Sequence, residues 1–224
     1  MIIYILKIAA FLSAMIGVVM TTSGNGTFMG SGRAFMYFTI HSNLAVAAIC
    51  FLDLFFMRRK RKEIKVWFVI RFMGVVSITL TGIVFCAFLA PTLGAFVWSL
   101  PNFITHVVVP VLAIIEFLLT EAFCSRLTCS ALWGTLPPLA YAVYAGIGYV
   151  RKWEFSDGIY YPYSFLNWGS PAGAFGLSSA PPFVGCVWWI LAICLFILLT
   201  GQVYIRILRL LRNHIIPVFN RPAS

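Results

Sequence analysis

Residues 66–89 read VWFVIRFMGVVSITLTGIVFCAFL, an apolar run in which Arg71 is the single charged side chain. A helix rises about 1.5 Å per residue and needs about 20 apolar residues to cross the roughly 30 Å hydrocarbon core of a bilayer. Of all 224 residues, 62% are hydrophobic and 10% are charged, which is far from the composition of a soluble domain. The sequence therefore predicts an integral, multi-pass membrane protein.

Five further apolar runs have a similar length, which gives an all-α membrane protein with a bundle of six predicted transmembrane helices. The predicted crossings are residues 4–22, 35–56, 66–89, 102–123, 131–150 and 181–204. We expect the first to be a retained helix rather than a cleaved signal peptide, because six crossings place both ends of the chain on one side. The chain is thus predicted to be a single transmembrane domain followed by a basic cytoplasmic tail, residues 205–224.

The positive charges indicate which side of the membrane each loop faces. Twelve of the 16 Lys and Arg residues fall on one predicted side, and six of them lie between Arg58 and Lys65. Three fall on the other side, namely Arg33, Arg151 and Lys152. Because cytoplasmic loops are enriched in Lys and Arg, both termini are predicted to be cytoplasmic. The membrane is predicted to be the plasma membrane. The positive stretch from Arg58 to Lys65 is predicted to contact anionic lipid headgroups, and no nucleic-acid partner is expected.

Soluble-enzyme and metal chemistry has no signature in this chain. The six cysteines form no C-x-x-C pair and do not alternate with histidine at metal-ligand spacing. The sequence has no nucleotide-binding glycine loop, no G-x-S-x-G elbow and no H-E-x-x-H motif. We therefore predict no metal and no cofactor. Any chemistry is expected among polar residues inside the crossings, where each one costs free energy unless it is paired or faces a cavity.

One polar layer is predicted near the outer ends of the crossings. Thr39 lies about four residues into the second crossing and His106 about four residues into the fourth, both roughly 6 Å from the outer end. Asn43 lies one turn below Thr39 on the same helix face, with Ser42 close to that face, whereas His41 points elsewhere. A histidine at this depth could be the base that activates the threonine hydroxyl. From spacing alone, hydrogen bonds of Thr39 to its own helix and of His106 to a neighbour are the commoner arrangement.

A second polar layer is predicted near the cytoplasmic ends. It contains Asp53 on the second crossing, Arg71 on the third, and Glu116 and Glu121 on the fourth. Arg71 is expected to pair with Asp53 or Glu116. Such a pair most often fixes helix packing, and the alternative is a pathway for protons or ions.

The loop between the last two predicted crossings, residues 151–180, is rich in aromatic residues and then in small ones. Its aromatic side chains include Trp153, Tyr160, Tyr161, Tyr163, Phe165 and Trp168. Such a loop could lie as an aromatic belt against headgroups. It could also fold back and cover a cavity between the helices. The sequence leaves both arrangements open.

Four short segments point to a known family. They read YFTIHSN at residues 37–43, HVVVP at 106–110, PPLAY at 137–141 and YPYSFL at 161–166. In this order they resemble the six-helix membrane family called Pr-six-Pr in bacteria. That family is similar to the androgen-induced, ADTRP-type proteins of animals, which act as threonine hydrolases on fatty acid esters of hydroxy fatty acids. The resemblance covers most of the chain and implies a six-helix bundle that acts on membrane lipids.

The resemblance also implies a catalytic pair. In the animal proteins the essential residues are a threonine in an aromatic-x-Thr-x-x-x-Asn segment and a histidine ahead of a proline on another helix. These positions correspond to Thr39, with Asn43 as the asparagine, and to His106, with Pro110 as the proline. Thr39 would then attack an ester carbonyl, and His106 would take its proton and later protonate the leaving alkoxide.

The function expected from this resemblance is hydrolysis of lipid esters, among them fatty-acid esters, near the outer membrane surface. Asn43 or a loop tyrosine, such as Tyr161 or Tyr163, would donate a hydrogen bond to the oxyanion, and the sequence does not choose between them. Ser42 and His41 would support the pocket, with His41 as a second imidazole. Two other functions fit the same polar residues, a small-solute transporter or channel and a lipid-binding membrane protein without catalytic activity.

Overall fold

A computed structural model describes residues 1–23, 32–58, 64–93, 97–124 and 128–215. These residues are largely helical and contain no β-strand, which confirms the predicted all-α fold class. Their α-helices are α1 (Ile2–Ser23), α2 (Phe38–Arg58), α3 (Lys65–Val84), α4 (Ala90–Leu93), α5 (Leu100–Phe103), α6 (Val109–Cys124), α7 (Leu136–Val150) and α8 (Cys186–Leu210). Short 3-10 or π-helical turns extend or join several of them, at Arg33–Met36, Phe85–Leu89, Ile104–Val108, Ala131–Thr135, Ser164–Leu166 and Leu211–Ile215.

Five helical stretches in the described ranges are long and apolar enough to cross a membrane. They are Ile2–Ser23, Phe38–Phe55, Lys65–Leu89, Leu100–Phe123 and Cys186–Asn213. They coincide with five of the six predicted crossings, so the multi-pass membrane class is confirmed. The remaining predicted crossing, residues 131–150, forms the turn Ala131–Thr135 and the 15-residue helix α7.

The last crossing begins and ends later than the sequence predicted. The chain at residues 181–185 is not helical, and α8 begins at Cys186 and continues to Leu210, with a π-helical turn to Ile215. The first part of the predicted basic tail therefore continues the helix. Residues 216–224 of that tail lie outside the described ranges, as does most of the positive stretch from Arg58 to Lys65.

The outward faces of the helices carry large apolar side chains. On α8, Leu191, Leu195 and Leu199 recur every four residues and are 54%, 57% and 59% exposed. Ile197, on the opposite face of the same helix, is completely buried. Because residues four apart lie on one face of a helix, α8 presents a continuous apolar stripe away from the bundle. Such a stripe is disfavoured in water and is solvated by lipid chains in a bilayer.

Helix α3 lies at the centre of the bundle. It packs against α2 and α6 on one side and against α7 and α8 on the other. Its buried aromatic residues Phe68 and Phe72 join Phe117 of α6 and Ile197 of α8 in the largest apolar core. Helix α1 packs against α2 and α6 through a second core that is rich in alanine. As a result, the start of α2, the end of α3 and the start of α6 meet at one end of the bundle. We call this the upper end.

The aromatic loop folds back over the upper end. Phe155 is completely buried and Leu166 is 4% exposed. The Tyr37 hydroxyl, just before α2, donates a hydrogen bond to the carbonyl of Phe155 at 3.0 Å. Arg33 forms ion pairs with Glu154, at 3.0 Å, and with Asp157. Of the two arrangements that the sequence leaves open, the loop adopts the one that covers the helices.

Candidate functional site

Thr39 and His106 face each other at the upper end of the bundle. Thr39 is the second residue of α2, and His106 lies in the π-helical turn Ile104–Val108 that precedes α6. Thr39 Oγ1 lies 3.3 Å from His106 Nε2, and the two residues are 6% and 4% exposed. A separation of this size is typical of a hydroxyl and its base in an empty site, which tightens when substrate binds.

The hydrogen bonds of the other ring nitrogen fix the tautomer of His106. His106 Nδ1 lies 3.0 Å from the carbonyl oxygen of Asn102 and 3.0 Å from Thr105 Oγ1. Because a carbonyl oxygen only accepts hydrogen bonds, Nδ1 carries the proton. In the neutral imidazole, Nε2 is then an acceptor, and it is directed at the Thr39 hydroxyl. The histidine is therefore oriented as a base toward Thr39.

Pro110 accounts for the unusual turn that carries His106. Proline has no N–H for the carbonyl four residues earlier, here that of His106, and its ring crowds that carbonyl. The chain widens into the π-helical turn Ile104–Val108 immediately before α6. Turns of this kind are often found at functional sites.

Two glycines allow neighbouring helices to approach this turn closely. A Cβ atom at Gly82 of α3 would lie 2.9 Å from the His106 carbonyl oxygen. A Cβ atom at Gly17 of α1 would lie 2.7 Å from Thr105 Cγ2. Small residues permit such close helix packing in membranes. The turn with His106 is thus held between α1 and α3.

Asn43 links the two halves of the site through backbone carbonyls. It is completely buried, and its Nδ2 donates to the carbonyl of Thr39 at 2.8 Å and to that of Thr105 at 3.3 Å. Ser42 Oγ donates to the same Thr39 carbonyl at 3.0 Å and is 2.8 Å from Thr81 Oγ1. Both amide hydrogens of Asn43 are therefore used to position Thr39 and the turn of His106. The role of oxyanion donor, which the sequence allowed for Asn43, is not supported by these contacts.

A pocket adjoins the Thr39–His106 pair. It offers about 60 Å³ to the centres of water-sized molecules, which is room for several waters, and about 600 Å³ of empty space when its open mouth is included. Apart from a few hydroxyls, His106 and one thiol, its walls are apolar. They are formed by Phe38, Thr39, Leu80, Thr81, Val84, Phe85, Leu89, His106, Pro138, Tyr141, Ala142, Tyr163, Phe165, Leu166, Ile190, Ile193 and Cys194.

The pocket extends from the hydroxyl–imidazole pair toward α7 and α8. Ile190, Ile193 and Cys194 line it from α8, and all three are half-buried. The adjacent residues Leu191 and Leu195 belong to the exposed apolar stripe of the same helix. The pocket therefore combines one polar end with an apolar part beside the exposed apolar stripe of α8. This arrangement is expected of a site for a hydrocarbon chain with a polar group.

Four of the five residues that the sequence assigned to the pocket or to its support are not part of this wall, namely Asn43, Ser42, His41 and Tyr161. Asn43 and Ser42 contact the Thr39 carbonyl instead. His41 lies about 200° around α2 from Thr39, is exposed, and places its Nε2 2.7 Å from the carbonyl oxygen of Phe35. Tyr161 precedes the turn Ser164–Leu166, which brings Phe165 and Leu166 into the pocket, and is not part of its wall. The ring of His41 contacts that of Tyr141, a residue of the wall, with centroids 5.9 Å apart. Tyr163, directly before the turn, does line the pocket.

Phe85 is a site residue that the sequence did not single out. Its ring stacks on the His106 ring with centroids 3.8 Å apart and an interplanar angle of 20°. Trp98 contacts Phe85 edge-on, with ring centroids 5.5 Å apart. Helix α3 and its extension have many aromatic residues, so no local signal distinguishes Phe85 from the others.

The second polar layer forms a buried charge cluster around Arg71. Arg71 Nη2 lies 2.8 Å from Glu116 Oε1, Nη1 lies 2.7 Å from Glu121 Oε1, and Nε lies 3.1 Å from Asp53 Oδ2. All four residues are at most 5% exposed. The structure therefore brings Arg71 into contact with both carboxylates that the sequence offered as partners, and with Glu121 as well.

Lys7 is a further member of this cluster. The charge pattern placed Lys7 at the cytoplasmic membrane end, but its side chain is completely buried. Lys7 Nζ lies 2.5 Å from Asp53 Oδ2 and also pairs with Glu116. Trp67 Nε1 donates to the other Asp53 oxygen at 2.6 Å. The cluster thus connects α1, α2, α3 and α6.

The Thr39–His106 pair and the charge cluster are separate sites. Thr39 and Asp53 are 14 positions apart on α2, or about 21 Å along a helix. No group of three or more His, Cys, Asp or Glu side chains that could hold a metal ion occurs among the described residues. No protein-family model, curated protein or solved structure matches the chain significantly.

Proposed function

We propose that this protein is an integral membrane hydrolase of lipid esters, with Thr39 as the nucleophile and His106 as the general base. The observation that carries the proposal is the 3.3 Å separation of Thr39 Oγ1 and His106 Nε2, with the Nδ1 proton held by the Asn102 carbonyl. This carbonyl takes the place of the carboxylate that orients the histidine in Ser-His-Asp hydrolases. The apolar pocket beside the pair suits the hydrocarbon part of a lipid.

The reaction follows from these positions. Thr39 Oγ1 forms a bond to the ester carbonyl carbon while His106 Nε2 takes the hydroxyl proton. The tetrahedral intermediate collapses, the bond to the alcohol oxygen breaks, and His106 returns the proton to the leaving alkoxide. A water molecule then attacks the acyl-threonine, again with His106 as the base, and releases the carboxylic acid. Thr39 regains its proton.

The same proposal includes membership of the Pr-six-Pr family and six crossings of the plasma membrane, with both termini in the cytoplasm. The order of the four resembling segments and the excess of Lys and Arg on one predicted side support it. The turn Ala131–Thr135 and α7 together give a continuous helical stretch over residues 131–150, which would be the fifth crossing. In this orientation the pocket lies near the outer surface. The stretch from Arg58 to Lys65 would contact anionic headgroups on the inner surface.

Covalent labelling of Thr39 tests the proposed nucleophile. We expect a lipophilic fluorophosphonate to label the wild-type protein and to leave Thr39→Val unlabelled, because valine keeps the shape of threonine and lacks the hydroxyl. The label is measured by gel fluorescence and located by mass spectrometry. Thr22→Val is the matched control, since the Thr22 hydroxyl bonds the Val18 carbonyl within α1 at 2.9 Å. Equal labelling of Thr39→Val and wild type would contradict the proposal.

Filling the apolar part of the pocket is expected to change the preferred chain length. Cys194→Trp should lower kcat/KM for nitrophenyl hexadecanoate by about tenfold or more, because losing the burial of two methylenes costs about 1.6 kcal/mol. Hydrolysis of nitrophenyl butyrate should change little. The control is Leu195→Trp, the same substitution at the next position, where the side chain is 57% exposed on the lipid-facing stripe. An equal loss for both esters, or the same effect in Leu195→Trp, would argue against this position of the acyl chain.

A further inference from the structure

Tyr163 occupies a defined position beside the proposed nucleophile. Its ring stacks on Phe165, with centroids 5.2 Å apart and an interplanar angle of 4°, and contacts Tyr37 edge-on at 5.9 Å. Its hydroxyl lies close to the Thr39 side chain, to the backbone N–H groups of Phe38 and Thr39, and to the Tyr141 hydroxyl. The side chain also lines the pocket. Aromatic packing therefore holds the Tyr163 side chain in the pocket beside Thr39.

The two backbone N–H groups explain how this hydroxyl is oriented. Phe38 and Thr39 are the first residues of α2, and the first amides of a helix have no acceptor within it. The first backbone bonds at this end run from Ile40 and His41 to the carbonyl of Tyr37. The N–H groups of Phe38 and Thr39, the first of which also lies near the Tyr141 hydroxyl, are thus available to the Tyr163 oxygen. An oxygen that accepts such bonds leaves its own proton to be donated elsewhere and is a stronger donor.

We propose that Tyr163 is a catalytic residue that donates a hydrogen bond to the oxyanion formed when Thr39 attacks an ester. This inference rests on the proposed hydrolase function. As the Oγ1–carbon bond forms, the electron pair of the C=O π bond moves to the carbonyl oxygen, which is attached to the same carbon as Oγ1. A donor that lines the same pocket beside Thr39 is close to this oxygen. The Tyr163 proton is shared in the hydrogen bond and is not transferred, so His106 carries the only proton that moves.

The other candidate donors are occupied or lie outside the pocket. The N–H groups of Asn43 are bonded to two backbone carbonyls, and the Tyr141 hydroxyl donates to the carbonyl of Met36 at 3.0 Å. Tyr161 does not line the pocket. Burial raises the pKa of Tyr163 above its ordinary value, so the phenol keeps its proton at neutral pH. Among these candidates, Tyr163 is the donor that remains.

Hydrolysis of nitrophenyl hexadecanoate by Tyr163→Phe in detergent micelles tests this role. Phenylalanine keeps the ring contacts and removes the hydroxyl. We expect kcat to fall about 10²–10³-fold, as when a single oxyanion donor is removed elsewhere, with KM changed much less. Tyr161→Phe is the matched control and should retain wild-type kcat. The melting temperature of each variant, measured in the same detergent, shows whether the fold is retained.

The outcomes separate this inference from the proposed function. If Thr39→Val abolishes hydrolysis and Tyr163→Phe retains wild-type kcat, the oxyanion role is overturned and the nucleophile stands. If no hydrolysis depends on Thr39, both proposals are overturned. Should Tyr163→Phe fail to fold, 3-fluorotyrosine at residue 163 keeps the ring and hydroxyl while making the hydroxyl a stronger donor. It is expected to raise kcat, and an unchanged kcat would overturn the inference.

Discussion

His106→Gln is expected to lower kcat for lipid-ester hydrolysis by about 10²–10⁴-fold, the usual contribution of a positioned general base. The His106 ring lies at the polar end of the pocket, whereas the acyl chain is proposed to lie toward α7 and α8. KM should therefore change much less than kcat. Without an imidazole nitrogen 3.3 Å from Thr39 Oγ1, the hydroxyl keeps its proton and is a poor nucleophile. Steady-state hydrolysis in micelles measures the loss, and slower labelling by a fluorophosphonate should accompany it.

The chain offers a matched control for this substitution. His41 lies on the same helix as Thr39 but is exposed and bonded to the carbonyl of Phe35. His41→Gln should therefore retain wild-type kcat. A large loss in His41→Gln together with normal activity in His106→Gln would show that His41 is the base, and would contradict the proposed site.

The equal depth of Thr39 and His106 was predictable from helix geometry, whereas their pairing was expected only from the family resemblance. A rise of about 1.5 Å per residue places both side chains at one depth, and the position of His41 away from Thr39 follows from the helix period. Asn43 was placed correctly on the face of Thr39 for the same reason. Its bonding to two backbone carbonyls was not predictable, because those carbonyls become neighbours only when α2 packs against the turn Ile104–Val108.

Other parts of the site depend on contacts between distant segments, which one sequence does not specify. Tyr163 reaches Thr39 because the loop folds back over the helices, and the sequence left that arrangement open. The tautomer of His106 depends on the carbonyl of Asn102, and a carbonyl is present at every residue. Phe85 is one of several aromatic residues near the end of α3. Its stacking on His106 follows from the approach of α3 at Gly82.

The charge cluster around Arg71 shows how a charge rule can miss a contact. Counting positive residues places Lys7 with the cytoplasmic charges, and a lysine near a helix end is usually solvated. In the structure Lys7 is completely buried, because the small residues Ala10 and Ala14 let α1 pack closely against α2 and α6. Lys7 then meets Asp53 and Glu116 inside the bundle.

Lys7→Met is expected to destabilise the protein by about 3–5 kcal/mol, the cost of leaving buried charge without its partner. Asp53 and Glu116 would then depend on Arg71, which also pairs with Glu121. Methionine is close to lysine in length and is apolar, so the loss reflects the missing charge rather than a cavity. The free energy of unfolding in detergent, or the melting temperature, measures the effect.

Two further variants show whether charge is the cause. Lys65→Met is the matched control, because Lys65 is exposed at the start of α3, and it should leave stability unchanged. Adding Asp53→Asn to Lys7→Met removes one of the stranded carboxylates and should recover part of the lost stability, with the double-mutant cycle giving the coupling of the two residues. Equal stability of Lys7→Met and Lys65→Met would contradict a structural role for the cluster.

Because the cluster lies about 21 Å along α2 from Thr39, ester hydrolysis per folded molecule should be retained in Lys7→Met. Loss of activity without loss of stability would instead connect the cluster to function.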